Sequence, residues 1–234
     1  MVSRLKQVYA LYPSQFWILS GVMMLAWTFH NMIMPFMLIY AGEMLDQPLT
    51  ALAGLFSVYA ISGVITTFFG GSIADLIGRK GVIVVSFLVC SSSWLLLLIA
   101  DSMPLFIAFM ALNGATTPLY RVAADAMMAD LVPAPNRIDA YSILRMGNNL
   151  GVAIGPAIGG FVAAVSYKIS FVISGAGMLM CTLFALLFFI ETVPQRENHV
   201  QKELRPAGGY LQILKDRRFL GLIGAFSLNR GRSA

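Results

Sequence analysis

Hydrophobic residues fall in six long runs that are separated by short polar stretches. Each run has about 20 residues or more, the length that an α-helix needs to cross the hydrocarbon core of a bilayer. Lipid offers the backbone no hydrogen-bond partners, so segments of this kind cross it as helices. We therefore predict an all-α polytopic membrane protein, with spans at 16–40, 51–70, 82–100, 103–131, 138–165 and 169–190.

The composition favours a membrane protein over a soluble domain. Hydrophobic residues make up 58% and charged residues 12% of the chain, against roughly 25% charged residues in soluble domains. The mean hydropathy is +0.78 and the isoelectric point is about 9.4. The two cysteines, Cys90 and Cys181, lie inside apolar runs and are predicted to be small packing residues.

The bases in the turns collect on one side of the predicted spans. The other side holds Lys168 and several acids. Cytoplasmic loops carry an excess of Lys and Arg, so the surplus of bases indicates topology rather than nucleic-acid binding. We predict a cytoplasmic N-terminus and multi-pass insertion in a plasma or inner membrane. The bases on the predicted cytoplasmic side are Arg4, Lys6, Arg79, Lys80, Arg137, Arg145, Arg196, Lys202, Arg205, Lys215, Arg217 and Arg218.

One long polar stretch, 191–218, follows the six-span region 1–190 and is predicted to be a cytoplasmic linker. A seventh apolar run begins at Phe219 and stops after Leu228, where a polar tail begins that cannot complete a span. We interpret 219–234 as an incomplete element, which a truncation, a frameshift or a fragment of a longer protein would explain.

The ten residues 71–80, GSIADLIGRK, form the predicted hairpin between the second and third spans. Gly71 and Gly78 allow a tight turn and close helix approach, while Asp75, Arg79 and Lys80 lie where the chain leaves lipid. An ordinary cytoplasmic hairpin would need the two bases but neither the glycines nor the acid. The pattern resembles the signature between helices 2 and 3 of the major facilitator superfamily of secondary transporters.

The end of the fourth span carries a second likeness to this family. Asp130 and Arg137 stand in the pattern Asp-Leu-Val-Pro-x-x-x-Arg, which resembles the family's turn between helices 4 and 5. The resemblance implies that the acid pairs with the arginine of the 2–3 loop, here Arg79. Such a pair would act as a latch that is intact in one access state and loosened in the other.

Glycines repeat at every fourth position of the fifth span. Gly151, Gly155 and Gly159 leave one helix face bare, so another helix can pack closely there, and Pro156 removes a backbone hydrogen bond. A helix contact of the GxxxG type would explain the glycines alone. The full pattern, which ends with Gly160, is similar to the span-5 motif of proton-driven exporters in the superfamily.

Arg121 lies well inside the fourth span, where a cation costs about 2.5–3.5 kcal/mol. Asp125 is four residues further on and shares its helix face. Either the two charges neutralise each other between helices, or Arg121 faces a watery central cavity, where it binds substrate or tunes a carboxylate. The superfamily's usual span-4 arginine comes earlier, near Phe109, so the resemblance does not carry the usual role onto Arg121.

The first and fourth spans carry polar residues at mid-membrane, which supports two related triplets of spans. His30 and Asn31 lie in the first span and Asn113 in the fourth. A histidine titrates near neutral pH and is able to carry or sense protons. The alternative is that it hydrogen-bonds a neighbouring helix.

Three polar residues begin the fifth span. Arg145 is close enough to the cytoplasm to extend its charge to the interface. Asn148 and Asn149 either line a polar pathway or join helices by hydrogen bonds, at roughly 0.6 kcal/mol each.

The resemblance implies the N-terminal half of a facilitator: a six-helix bundle built as an inverted 3+3 repeat, then a linker and the start of the second half. It implies proton-coupled export of small amphipathic compounds, with the bilayer, the substrate and protons as partners. One half lacks a cavity wall, so we expect the chain to be inactive without the missing C-terminal half or another half-transporter.

Other functions remain open at this point. An importer or uniporter of the same family, or a membrane partner that moves no substrate, fits the same features. No metal-ligand spacing, phosphate loop or nucleophile motif stands out in the sequence. We therefore expect no enzyme activity, no cofactor and no metal.

Overall fold

The computed structural model describes residues 9–192, and the described part of the chain contains helices and no strand. The prediction of an all-α fold is confirmed. The predicted linker residues 193–218 and the predicted seventh run lie outside the described residues. The helices are α1 (Ser14–Ile33), α2 (Met37–Leu45), α3 (Leu49–Ile77), α4 (Arg79–Leu96), α5 (Met103–Leu131), α6 (Arg137–Ala163) and α7 (Tyr167–Phe188).

Each predicted apolar run overlaps one of the long helices. Span 1 consists of α1 and α2, which are joined by a 3₁₀ turn at Met34–Phe36. Pro35 stands at the beginning of that turn, where its missing N–H group is tolerated. Spans 2 to 6 are α3, α4, α5, α6 and α7 in order.

Four of these spans are long and apolar enough to cross a membrane by length and composition: spans 1, 2, 3 and 6. Span 4 has 29 residues and span 5 has 27, so each is about 40 Å long and exceeds a hydrocarbon core of about 30 Å. Their hydropathy is lower because they carry the charged residues that the sequence singles out, among them Arg121, Asp125 and Arg145.

The connection between spans 2 and 3 is shorter than predicted. Residues 71–77 continue the helix of span 2, and the helix of span 3 begins at Arg79. Gly78 alone breaks the helix, with φ at +103°, a value that favours glycine. A Cβ atom on Gly71 would meet no atom within 4 Å. The predicted ten-residue hairpin, with a conformational role for both glycines, was therefore wrong for Gly71.

Helix packing follows one pattern in both triplets of spans. Span 1 packs against span 5, and span 4 packs against span 2. Span 3 contacts span 4, span 6 contacts span 1, and spans 3 and 6 contact each other. This set of helix contacts stays the same when span 1 is exchanged with span 4, span 2 with span 5, and span 3 with span 6. Because three spans precede the second triplet, that triplet enters the membrane from the opposite side, as an inverted repeat requires.

Aromatic side chains fill the space between spans 1, 3, 4 and 6. The rings of Phe87 and Tyr120 are 5.1 Å apart, and those of Trp94 and Phe171 are 6.2 Å apart. Span 2 lies at the periphery, since only 11% of its most apolar 18-residue stretch is buried inside the bundle. It therefore presents most of its apolar surface outward.

Candidate functional site

Arg79 links spans 2, 3 and 4. Its guanidinium forms an ion pair with Asp130 at the end of span 4, and its Nη1 donates to the Ala126 carbonyl at 3.0 Å. Asp75, one turn before it, lies 3.8 Å from Nη2. The Arg79 side chain is 12% exposed and that of Asp75 is 65% exposed. The arginine thus points toward span 4, and the contact with Asp75 is a surface contact of small energy.

Arg137 lies apart from this ion pair. Its Nε donates to the carbonyl of Val132 at 3.0 Å, so it closes the turn that joins spans 4 and 5. Among the described residues, Arg137 has no salt bridge within 4 Å. A part for Arg137 in the gating latch stays a prediction.

Glu191 is a residue of this region that the sequence analysis did not single out. Its Oε1 accepts from the backbone N–H of Arg79 at 2.9 Å, and its Oε2 accepts from that of Lys80 at 3.1 Å. The ammonium of Lys80 donates to the Leu186 carbonyl in the last turn of span 6, at 2.8 Å. The sequence does show an acid directly after an apolar span, which could have marked Glu191. Its partners, however, lie more than a hundred residues earlier, so the sequence does not reveal them.

The glycine stripe of span 5, defined as Gly151, Gly155 and Gly159, packs on the backbone of span 1. A Cβ atom on Gly151 would lie 2.6 Å from the carbonyl oxygen of Met24, and one on Gly155 would lie 2.6 Å from that of Thr28. A Cβ atom on Gly159 would overlap the Met32 carbonyl. The stripe therefore allows two helix backbones to approach more closely than any side chain permits.

The rest of the motif makes looser contacts. A Cβ atom on Gly160 would lie 3.5 Å from the Phe36 ring, which is an ordinary contact. Pro156 lies within α6, which continues past it to Ala163. The close approach therefore depends on the three glycines of the stripe.

Asp125 pairs with an arginine of the next span. Its Oδ2 accepts from Arg145 Nη2 at 2.5 Å, and its backbone carbonyl accepts from the Tyr141 hydroxyl at 3.2 Å. Arg121 has no ion pair within 4 Å in the described range, so the direct partner of Asp125 is Arg145 and not Arg121. Arg145 joins spans 4 and 5 instead of extending alone to the interface.

Four spans each contribute one polar side chain to a buried contact. His30 Nε2 lies 3.3 Å from the Tyr59 hydroxyl, and its Nδ1 lies 4.0 Å from the Cys90 sulfur. The Cys90 thiol donates to Asn113 Oδ1 at 3.0 Å. We call these four residues the four-span cluster. It supports a helix-joining role for His30 and Asn113, and it gives Cys90 a hydrogen-bonding role beyond packing. Asn31 instead bonds the carbonyl four residues earlier in its own helix.

The two asparagines of span 5 have different surroundings. Asn148 is 5% exposed, and neither atom of its amide group has a hydrogen-bond partner within residues 9–192. Asn149 is exposed. A polar pathway along these residues stays a prediction.

Comparisons with known proteins agree with this architecture. The sequence profile of the Major Facilitator Superfamily matches residues 16–231. The quinolone resistance protein NorA of Staphylococcus aureus is 24% identical over 197 residues, which cover 84% of this chain and 48% of NorA. A Na(+), Li(+), K(+)/H(+) antiporter of Planococcus maritimus is 31% identical over 216 residues, which cover 83% of this chain and 50% of the antiporter.

Solved structures show the same fold. The peptide transporter POT in complex with alafosfalin superimposes with a TM-score of 0.71 at 18% identity, over 92% of this chain and 46% of the transporter. The same transporter with sulfate also gives 0.71, over 96% and 48%. The chain thus spans about half the length of the relatives that it matches. With its helix packing and a family profile that covers most of its length, the chain belongs to the major facilitator superfamily of membrane transporters.

Proposed function

We propose that the chain forms one six-span half of a proton-coupled antiporter that exports small amphipathic compounds or monovalent cations. The observation that carries the proposal is Asp125, a carboxylate inside a membrane span whose partner is Arg145 on the neighbouring span. Ionisable residues within membrane spans are rare and mark ion or substrate pathways. The names of the two relatives, a drug resistance protein and a cation/proton antiporter, support the same class.

In this proposal Asp125 exchanges its proton while Arg145 serves as the counter-charge. The proton and a cationic substrate, or a metal cation, compete for the same Asp125 carboxylate, so that binding of one excludes binding of the other. Exchange of protons for substrate follows from this competition.

The Arg79–Asp130 ion pair is proposed to stabilise one access state by joining the ends of spans 3 and 4. The concentration of bases near this end supports a cytoplasmic position for it. Alternating access in this family requires two bundles that rock about a central site. We propose that, when only this chain is present, the second bundle is another copy of the chain.

The test is reconstitution of the chain into liposomes that are acidic inside and contain a pH-sensitive dye. We expect a fluoroquinolone, or Na⁺, Li⁺ or K⁺, added outside to release internal protons. Asp125→Asn should abolish the release, whereas Asp139→Asn, at an exposed acid of span 5, should not. Release that rises with the square of the copy number would indicate pairing of two copies.

Other outcomes separate the alternative functions. Substrate flux that continues after an uncoupler collapses the gradient would indicate a uniporter. Absence of both flux and proton release at every copy number would overturn antiport by this chain, and would favour a membrane partner that moves no substrate.

A further inference from the structure

We infer that Glu191 is a positioning residue for the Arg79–Asp130 ion pair, and that it connects the end of span 6 to the turn between spans 2 and 3. The inference rests on the proposed function only for its transport readout. Its structural basis is the set of contacts that the Glu191 carboxylate makes with Gly78, Arg79 and Lys80.

The carboxylate caps a helix to which it does not belong. The first N–H groups of an α-helix have no partner within the helix, and an acid placed there also interacts favourably with the helix dipole. Gly78, the residue before span 3, has no side chain with which to cap it. The two oxygens of Glu191, 112 and 111 residues away, accept from the N–H groups of Arg79 and Lys80.

The same carboxylate occupies the space beside Gly78. A Cβ atom at this position would lie 2.5 Å from Glu191 Oε2 and 3.0 Å from its Cδ. Residue 78 must therefore be glycine for two separate reasons: its positive φ and the carboxylate that lies against it. The Lys80 ammonium adds a second connection to span 6 through the Leu186 carbonyl.

These contacts determine where the Arg79 guanidinium points. Span 6 holds the backbone of Arg79 through Glu191, while span 4 holds its side chain through Asp130 and the Ala126 carbonyl. A movement of the end of span 6 would therefore shift the backbone from which the guanidinium extends. Glu191 therefore acts on the ion pair through Arg79.

The first experiment measures thermal unfolding of the full 234-residue chain in detergent, for Glu191→Ala and Gly78→Ala, singly and together. We expect both single variants to unfold at lower temperature. The double variant should lose less than the sum, because removing the carboxylate removes the overlap with the new Cβ atom. Glu43→Ala, at an exposed acid elsewhere, is the control and should change little. Additive losses would overturn the contact.

The second experiment pairs Glu191→Ala with Asp130→Asn in the same assay. If Glu191 acts through Arg79, the combined effect on the unfolding equilibrium should depart from the product of the single effects by about fivefold. Glu191→Gln, whose single amide oxygen accepts from only one of the two N–H groups, should lie between the native chain and Glu191→Ala. Additivity, or equal losses for Gln and Ala, would overturn the positioning role.

Transport gives the third readout. In the liposome assay, Glu191→Ala should slow proton release in the native background and have no further effect beside Asp130→Asn, whereas a merely structural loss would slow both. A native chain that moves no protons, yet shows both couplings in unfolding, would overturn the proposed function and leave the role of Glu191 standing. Proton release by the native chain, with independent effects of Glu191→Ala and Asp130→Asn, would support the proposed function and overturn the role of Glu191.

Discussion

Gly155→Ala adds a single methyl group where span 5 meets span 1. Its Cβ atom would lie 2.6 Å from the Thr28 carbonyl oxygen, and 3.0 and 3.1 Å from two carbon atoms of Asn31. Two of these three atoms belong to the backbone, so a side-chain rotation does not relieve the overlap. The two helices must move apart, and the contacts along the whole glycine stripe then loosen.

The size of the effect follows from two opposing terms. Overpacking of a tight contact costs about 1–3 kcal/mol of unfolding free energy. Replacing glycine by alanine inside a helix returns about 1 kcal/mol. Gly147→Ala is the matched control: it lies in the same helix and faces the same span, but its Cβ atom would lie 3.7 Å from Met24 Cβ. The gain from replacing glycine by alanine in a helix is common to both variants. The difference between their unfolding free energies is therefore the cost of overpacking.

The assay is thermal unfolding of both variants in detergent, alongside the native chain. For a chain of this size, 1 kcal/mol corresponds to about 2–4 °C, so Gly155→Ala should unfold about 2–12 °C below Gly147→Ala. The control should match or exceed the native chain. Equal midpoints for the two variants would refute the inference that backbone contact with span 1 requires glycine at this position.

Three further predictions concern the polar contacts within the spans. Cys90→Ser keeps a donor for the Asn113 oxygen and should change stability little, whereas Cys90→Val leaves that oxygen unsatisfied and should cost about 1–3 kcal/mol in thermal unfolding. A maleimide should label neither Cys90 nor Cys181 in the native chain, since both are 0% exposed, and labelling seen by mass spectrometry before heating would contradict this burial. Exchange of the charges of Asp125 and Arg145 should restore part of the stability that either single reversal removes, and a double-mutant cycle without coupling would contradict their ion pair.

The all-α fold was predictable because run length and hydropathy are local properties. Lipid demands internal hydrogen bonds of every span, so an apolar run long enough to cross it forms a helix in any context. Hydropathy says nothing, however, about which apolar face meets another helix. The peripheral position of span 2 and the central position of span 3 were therefore not predictable from their similar runs.

Ion-pair partners were only partly predictable. The resemblance indicated the contact between Arg79 and Asp130, which the structure contains. The choice of partner for Asp125 depends on how spans 4 and 5 cross. Arg121 satisfies the local i, i+4 rule, yet the contact goes to Arg145, 20 residues away. The spacing of residues within one helix does not predict how that helix crosses another.

The extent of the turn after span 2 depends on hydrogen bonds that residue type does not reveal. Gly71 and Asp75 indicated a loop. Both residues lie within the helix, however, which continues to Ile77 and satisfies their backbone groups. Only the positive φ of Gly78 ends it. Glu191 was missed because its partners lie in a segment more than a hundred residues earlier, and no local pattern connects the two.

The four-span cluster restricts how the bundle deforms. Three of its residues, His30, Tyr59 and Cys90, belong to the first triplet and Asn113 belongs to the second, so pulling the triplets apart would break the hydrogen bond from the Cys90 thiol to the Asn113 amide oxygen. Unsatisfied polar groups there cost several kcal/mol each. Movement of span 3 away from span 4 is consequently expensive, and this buried contact favours the two spans moving together.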